Sequence, residues 1–337
     1  MTYITDKLTL KITGVIFAIL IVFCTYATLA QVQTSGANAA QGMEISPAII
    51  ELNGAKGGTY NLSIKVTNVT PSDLVYETSV EDFRAKDETG SPQVLIGSDL
   101  PDTISVKSWV STIPSFSLES RKSETVTFTV SIPVDAEVGG HYGVLRFAGN
   151  APELDSTGVA LSASAGALLL VRVDGAIAEE AELASFYTGN SGKQTSFLEN
   201  APVDFTVRIK NTGNIHTKPT GAIEIKDMFS NTVVNLAVNE NLANVLPDSI
   251  RKFETTYDGW MFGYYTANLA LGYGTSGQAI VGSTSFWVIP YRAILVGLLL
   301  LVTALFVVIK LIKAYNRRII AKSKNEIQSR RQKKKGS

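Results

Sequence analysis

The segment Ala293–Ile309, AILVGLLLLVTALFVVI, runs 17 residues without a charge. No other stretch constrains the chain as strongly, because a helix needs about 20 residues to cross the hydrocarbon core of a bilayer. Val288 and Ile289 lengthen the apolar run upstream, across Pro290 and Arg292. The Arg292 side chain can carry its charge back to the headgroups along its own methylenes. Trp287 and Tyr291 stand at the entrance, where amphipathic rings suit the interface. Downstream, 11 lysines and arginines face a single acid, Glu326. Such a bias orients a tail toward the cytoplasm. Residues 288–312 are therefore expected to span the plasma membrane, with 313–337 as a basic cytoplasmic tail and the lipid bilayer as the first expected partner.

The N-terminus has the order of a secretory signal. Lys7 and Lys11 precede the mostly apolar Ile12–Cys24, and small residues follow at Ala30, Ala37, Ala39 and Ala40. That order predicts a signal peptide and linker over 1–40, and places the middle of the chain outside a single-pass membrane protein. Cys24 is the only cysteine, so the exterior must hold together through its cores without an intrachain disulfide, which leans toward a bacterial surface. Between Gln41 and Tyr291 the chain carries 28 acidic and 16 basic residues, a net of −12 that the zero balance of the whole chain conceals. Nucleic acid is not an expected partner of so acidic an exterior.

The exterior reads as strands. Tyr60, Leu62, Ile64 and Val66 alternate with Asn61, Ser63 and Lys65; Val126, Phe128, Val130 and Ile132 repeat the pattern, as do Val203, Phe205, Val207 and Ile209. Period two means one buried face and one wet face. Ile104–Trp109 is expected as a further short strand with Trp109 in the core, Asn150–Ser164 as a small-residue insertion, and Gly175–Glu182, acidic and partly helical in composition, as a linker or the first turn of the next domain. Strands with one apolar face need a second sheet to cover it. The expected architecture is all-β: one sandwich over 43–173 and another over 174–287, with one C-terminal transmembrane helix. The strand Tyr60–Val66 with Asn68 recurs 143 residues later as Val203–Ile209 with Asn211, which suggests a repeated element.

No catalytic constellation emerges. His141 and His216 fall in different sandwiches without metal-ligand spacing. The acid pairs Glu81-Asp82 and Asp87-Glu88 could at most contribute oxygens to a weak calcium site, and read more simply as solvated turns. No phosphate-binding glycine loop is present. The expectation is a protein without cofactor, metal or catalytic residues, and not an enzyme.

Three stretches carry a resemblance: ISPAIIELNGAKGGTYNLSIKVTN at Ile45–Asn68, SLESRKSETVTFTVSIPVDAEVGGHYGVLRF at Ser117–Phe147, and PVDFTVRIKNTGNIHTKPTGAIEIKD at Pro202–Asp227. Together they resemble the bacterial cell-surface proteins with the DUF916 region, the WxL-interacting proteins. That resemblance implies a signal peptide, two immunoglobulin-like sandwiches, a transmembrane helix and a basic tail. It also implies a role joining peptidoglycan, through the first sandwich, to partner surface proteins, through the second. The expected function is a non-enzymatic surface adaptor for surface proteins, with peptidoglycan as a weaker ligand. An extracellular chaperone or assembly factor and a passive stalk remain as alternatives. Candidate contacts are exposed strand edges and the loops Asn53–Gly58, Phe83–Pro92 and Asn211–Thr220.

Overall fold

The structure, a computed structural model, describes residues 42–97, 100–150 and 163–335. The expected leader and most of the small-residue insertion, 151–162, lie outside the described residues.

In chain order the first sandwich contains β1 (Met43–Ser46), β2 (Ile49–Gly54), β3 (Thr59–Asn68), β4 (Leu74–Ala85), β5 (Pro92–Val94), α1 (Val106–Trp109), β6 (Phe116–Leu118), β7 (Ser123–Ser131), β8 (Gly139–Asn150) and β9 (Ala163–Val173). One sheet runs β1-β3-β7; the other runs β2-β9-β8-β4, with β5 and β6 on opposite ends of β4. Pro47 lies where the chain leaves β1 in one sheet and enters β2 in the other, both edge strands, a position that needs no amide donor. The alternation sets the core: Ile64, Val66, Phe128 and Val130 from one sheet meet Tyr76, Leu145, Phe147, Leu169 and Val171 from the other.

Ile104–Trp109 departs from expectation. It forms the helical turn α1, with Val106 and Trp109 buried. Three-residue spacing puts both on one side of a turn of helix. The carboxylate of Asp82 fixes it there, accepting hydrogen bonds from Ser105 Oγ (2.6 Å) and the Lys107 amide (3.2 Å), while Trp109 Nε1 donates to the Asp102 carbonyl (2.6 Å). Trp109 does belong to the core, as expected, but from a helical turn.

The second sandwich contains β10 (Ala181–Asn190), β11 (Lys193–Gln194), β12 (Phe197–Leu198), β13 (Val203–Asn211), β14 (Thr220–Asp227), β15 (Thr232–Val238), β16 (Ile250–Tyr257), β17 (Gly263–Tyr273) and β18 (Gln278–Val288). Its sheets run β11-β10-β13-β16 and β12-β18-β17-β14-β15. Val203, Phe205, Val207 and Ile209 all face the core, as their phase requires, against Ile223, Ile225, Leu269 and Phe286. Phe205 meets Phe286 edge-on with centroids 5.6 Å apart. Gly175–Glu182 is not helical: it bends at Gly175–Ala176, enters β10 at Ala181, and its carbonyls at Ala178 and Glu180 accept from the amides of residues 212–214.

Two residues, Ile289 and Pro290, separate β18 from α2 (Tyr291–Lys335). Its portion Tyr291–Ile320 is long and apolar enough to cross a membrane, and none of that apolar window is buried against the sandwiches. The chain thus combines two immunoglobulin-like sandwiches with one C-terminal apolar helix that suits a single-pass anchor.

Candidate partner-binding edges

The three loops singled out in the sequence have different fates. The turn between β4 and β5 is built by Asp87, whose Oδ1 accepts from the Thr89 amide at 2.8 Å. It carries Glu88 to the second sandwich, where the Glu88 carbonyl accepts from the Lys252 amide (2.7 Å) and the carboxylate grips Arg208 through Nε (2.7 Å) and Nη2. These contacts hold the Glu88 carboxyl below its ordinary pKa, the Arg208 hydrogen bonds being the largest cause. Gly90, at φ +80°, lies against the Arg251 guanidinium, and any Cβ there would collide with it. The Asn211–Thr220 loop meets the first sandwich from the other side. The Gly140 amide donates to the Asn214 carbonyl (2.8 Å), Lys218 pairs with Glu51 (2.7 Å), and Tyr142 and His216 stack edge-on at 5.8 Å.

Phe83–Pro92 and Asn211–Thr220 are therefore taken up in a joint between the sandwiches and are not open contact loops. Phe83, Val144 and Leu170, from the outward faces of β4, β8 and β9, pack there with Leu246. Each fully buried side chain of this kind is worth ~1.5–3 kcal/mol, whereas part-exposed ion pairs bring ~0–1 kcal/mol. The apolar contact dominates and the polar ring fixes its register. Burial drives the pKa of His216 down and that of the Tyr142 phenol up. Burial also opposes the charge on Glu51, but hydrogen bonds from Lys218 and Asn244 outweigh it and leave that carboxyl below its ordinary pKa. Asn53–Gly58 keeps an exposed tip at Ala55 and Lys56, and in the Phe83–Pro92 turn Asp87 and Thr89 stay exposed beside the buried contacts.

The remaining chemistry-bearing residues have structural partners. His141 is buried against Trp109 (4.6 Å between rings), with its two ring nitrogens each 2.9 Å from a carbonyl, of Ile104 and Glu137. Its neighbour Tyr142 faces the joint, so the two histidines are not brought together. Glu81 binds Lys107 (2.9 Å) and Asp82 holds α1, which accounts for both acid pairs without an ion. Among the described residues no group of three or more His, Cys, Asp or Glu could hold a metal.

The exposed strand edges differ in what protects them. β7 is crossed by Val110 and Ser111, whose amide donates to Thr129 (2.8 Å). β10 is interrupted by a bulge between Leu183 and Ser185 and carries Glu182. The outer edge of β16 is engaged at Lys252 by Glu88. β15 differs: TVVNLAV has no charge and no proline, its register shift is confined to its first pairs with β14, and among the described residues no strand or loop amide bonds its outer side. Charges, prolines and bulges are the usual guards of such an edge. Val234 and Leu236 lean into the core while Val233, Asn235 and Ala237 face solvent. Beside it, a mostly polar cleft of about 330 Å³ opens toward β16, where Ala237, Val238 and Phe253 lie among the charged Glu240, Lys252 and Glu254. This edge was not distinguishable in the sequence; the signal for it is a β-rich heptamer lacking any gatekeeper charge.

No protein-family model matches the sequence. No curated protein matches it either. Among solved structures, the chain is similar to the class 5 fimbriae chaperone CfaA, at 14% identity over 72% of this chain and 98% of that one, with a TM-score of 0.38. It is also similar to the chaperone YadV, at 11% identity over 73% and 100%, with a TM-score of 0.37. The E. coli chaperone DraB matches at 12% identity over 73% and 94%, with a TM-score of 0.34. These are loose superpositions, and the fold rests on the strand ladders of this chain.

Proposed function

We propose that this chain is a non-enzymatic surface adaptor, held in a bacterial plasma membrane by α2 with both sandwiches outside, which receives an extended segment of a surface protein along β15. The observation that carries this reading is the unguarded outer edge of β15 beside an open cleft. An added strand gains affinity from main-chain hydrogen bonds, and its alternate side chains give selectivity by entering whatever pockets lie beside the edge. The 11 basic residues beyond the span support the orientation. The net −12 of the exterior disfavours electrostatic attraction to anionic wall polymer, so peptidoglycan is the weaker ligand, held by local hydrogen bonds and aromatic surface. The motif likeness to WxL-interacting proteins supports the same role, with this chain as a divergent relative.

An extracellular assembly factor is the second reading. It would use the same edge, and the cleft, with no element among the described residues closing over it, suits release as well as capture. The test is a photo-crosslinking residue at Asn235 of the full chain in living cells, with Lys56 as the control position. A crosslink from position 235 to a mature surface protein supports the adaptor. A crosslink only to newly exported chains supports the assembly factor. Labelling at Lys56 alone, or of glycan alone, removes β15 from the function.

A further inference from the structure

The ladders of the second sandwich fix which loops share an end with the membrane helix. Asp227, Tyr265 and Phe286 lie side by side across β14, β17 and β18. β14 and β18 both run antiparallel to β17, so both point toward α2. The residues that follow Asp227 therefore lie level with Trp287 and Val288, and so do those that precede Gly263, which pairs with Val288. β12 runs parallel to β18 and sets Phe197 against Trp287.

That end is apolar and uncovered. Trp260 is 85% exposed and Phe229 77%, with Phe262 and Met228 also more than half exposed. Two of these tips are held rigidly. The Asp227 carboxylate accepts from the Phe229 and Asn231 amides (2.8 and 2.9 Å), closing the turn that presents Phe229. Trp260 stacks on Phe262 (6.4 Å between centroids), whose amide donates to the Tyr265 hydroxyl (2.9 Å). Exposed large apolar groups gathered at one end mark a contact surface. The same surface continues into Trp287, which meets Tyr264 at 5.1 Å, and into Tyr291, the first residue of the helix.

Chain length decides what covers them. From Trp287 to Tyr291 is four residues, at most about 14 Å of extended backbone, and the headgroup layer is itself ~5–8 Å deep on each side of the hydrocarbon. We infer that Phe229, Trp260 and Phe262 dip into the outer leaflet of the bilayer that α2 enters, so that the second sandwich is seated on the membrane by three side chains on two loop tips as well as tethered to it. This rests on the reading of α2 as the membrane anchor. The contact is apolar in character: the nearby charges include Asp227 and Asp258, while Lys226 is paired with Glu224 and Arg292 with Glu199, leaving no positive excess to seek anionic lipid. A zwitterionic bilayer is the occupant that fits.

The test uses the full chain reconstituted into phosphatidylcholine vesicles, with and without bromine on the upper acyl carbons, where interfacial side chains come to rest at a depth of ~5–10 Å. Trp260 emission is taken as the difference between the wild type and W260F. Brominated lipid should remove about half or more of that emission, in high salt as in low. Replacing Phe229 and Phe262 together by Ser should lower the quenching while the protein still floats with the vesicles. Flotation with Trp260 unquenched overturns the proposal and leaves the anchor standing; self-crosslinking through the tips in that case assigns them to a second copy. Failure to float overturns the anchor and the seating together.

Discussion

Asn68 and Asn211, 143 residues apart, close the same corner of the two sandwiches. Both are fully buried at the ends of equivalent strands, β3 and β13. The Asn68 amide donates to the carbonyls of Ser72, Leu118 and Glu119, and that of Asn211 to the carbonyls of Ile215 and Val245. Each Oδ1 accepts from the amide two residues on, of Thr70 and of Gly213.

Asn211→Ala strands those buried carbonyls and the Gly213 amide. The expected loss is about 2–4 kcal/mol, since each unsatisfied buried group costs ~1–3 kcal/mol. Thermal unfolding of the full chain in detergent should show it. Asn211→Asp should be worse, because it sets a carboxylate against two carbonyls.

Val207 and Arg208 are neighbours with opposite consequences. Val207→Asp buries an unpaired charge in the core and should cost about 3–5 kcal/mol, unfolding the second sandwich. Arg208 is part-exposed, so Arg208→Asp should shift thermal stability by no more than about 1 kcal/mol. It nevertheless places a carboxylate beside Glu88. A spin-label distance across the joint should broaden for Arg208→Asp while circular dichroism holds. An unchanged distance would remove Glu88 from the joint.

Acid should open the joint in two stages. Burial depresses the pKa of His216, beside Tyr142, Glu51, Lys218 and Arg172, so it stays neutral in the closed joint and takes up a proton more readily once exposed. Its contribution is intact above its ordinary pKa of about 6.5 and declines below it. Glu88 and Glu51 have lowered pKa values, so their contribution holds above the ordinary carboxylate pKa and disappears as pH falls through the depressed one. Amide exchange at Gly140 and Lys252, followed against pH, should show both stages. His216→Asn should flatten the first alone.

Guarding β15 should weaken capture without harm to the fold. Val233 and Asn235 face solvent, and surface changes of this kind stay within about 0.5 kcal/mol. Replacing both by Lys should weaken strand addition about tenfold or more, equivalent to ~1.4 kcal/mol. Photo-crosslinking from Ala237 in that background measures the loss; undiminished crosslinking would exclude the edge.

Strand phase was legible wherever one face is wet: the burial of Val203, Phe205, Val207 and Ile209 follows directly from their alternation. α1 was not, because four residues cannot establish a period, and Val106 and Trp109 fit a strand until the Asp82 carboxylate is seen to hold the turn. The joint misled for another reason. Polar loops such as Asp87–Gly90 look solvated in sequence, and only the fold brings Arg208 and Arg251 to them. A signal was nonetheless present in Ala167–Val171: an unbroken apolar run, unlike an alternating one, announces a strand covered on both faces. Leu169 and Val171 fill the core, and Leu170 fills the joint.

The sheet order β12-β18-β17-β14-β15 also settles how the chain bears mechanical load. A pull applied at β15 and resisted at α2 crosses three antiparallel ladders of a single sheet, through β14 and β17 to β18, and bypasses the first sandwich. Directed along the strands, such tension shears those ladders, so that their hydrogen bonds resist together and do not unzip in turn. With α2 as the anchor and β15 as the proposed capture edge, deforming, occupying or losing the first sandwich would leave that line of ladders taut.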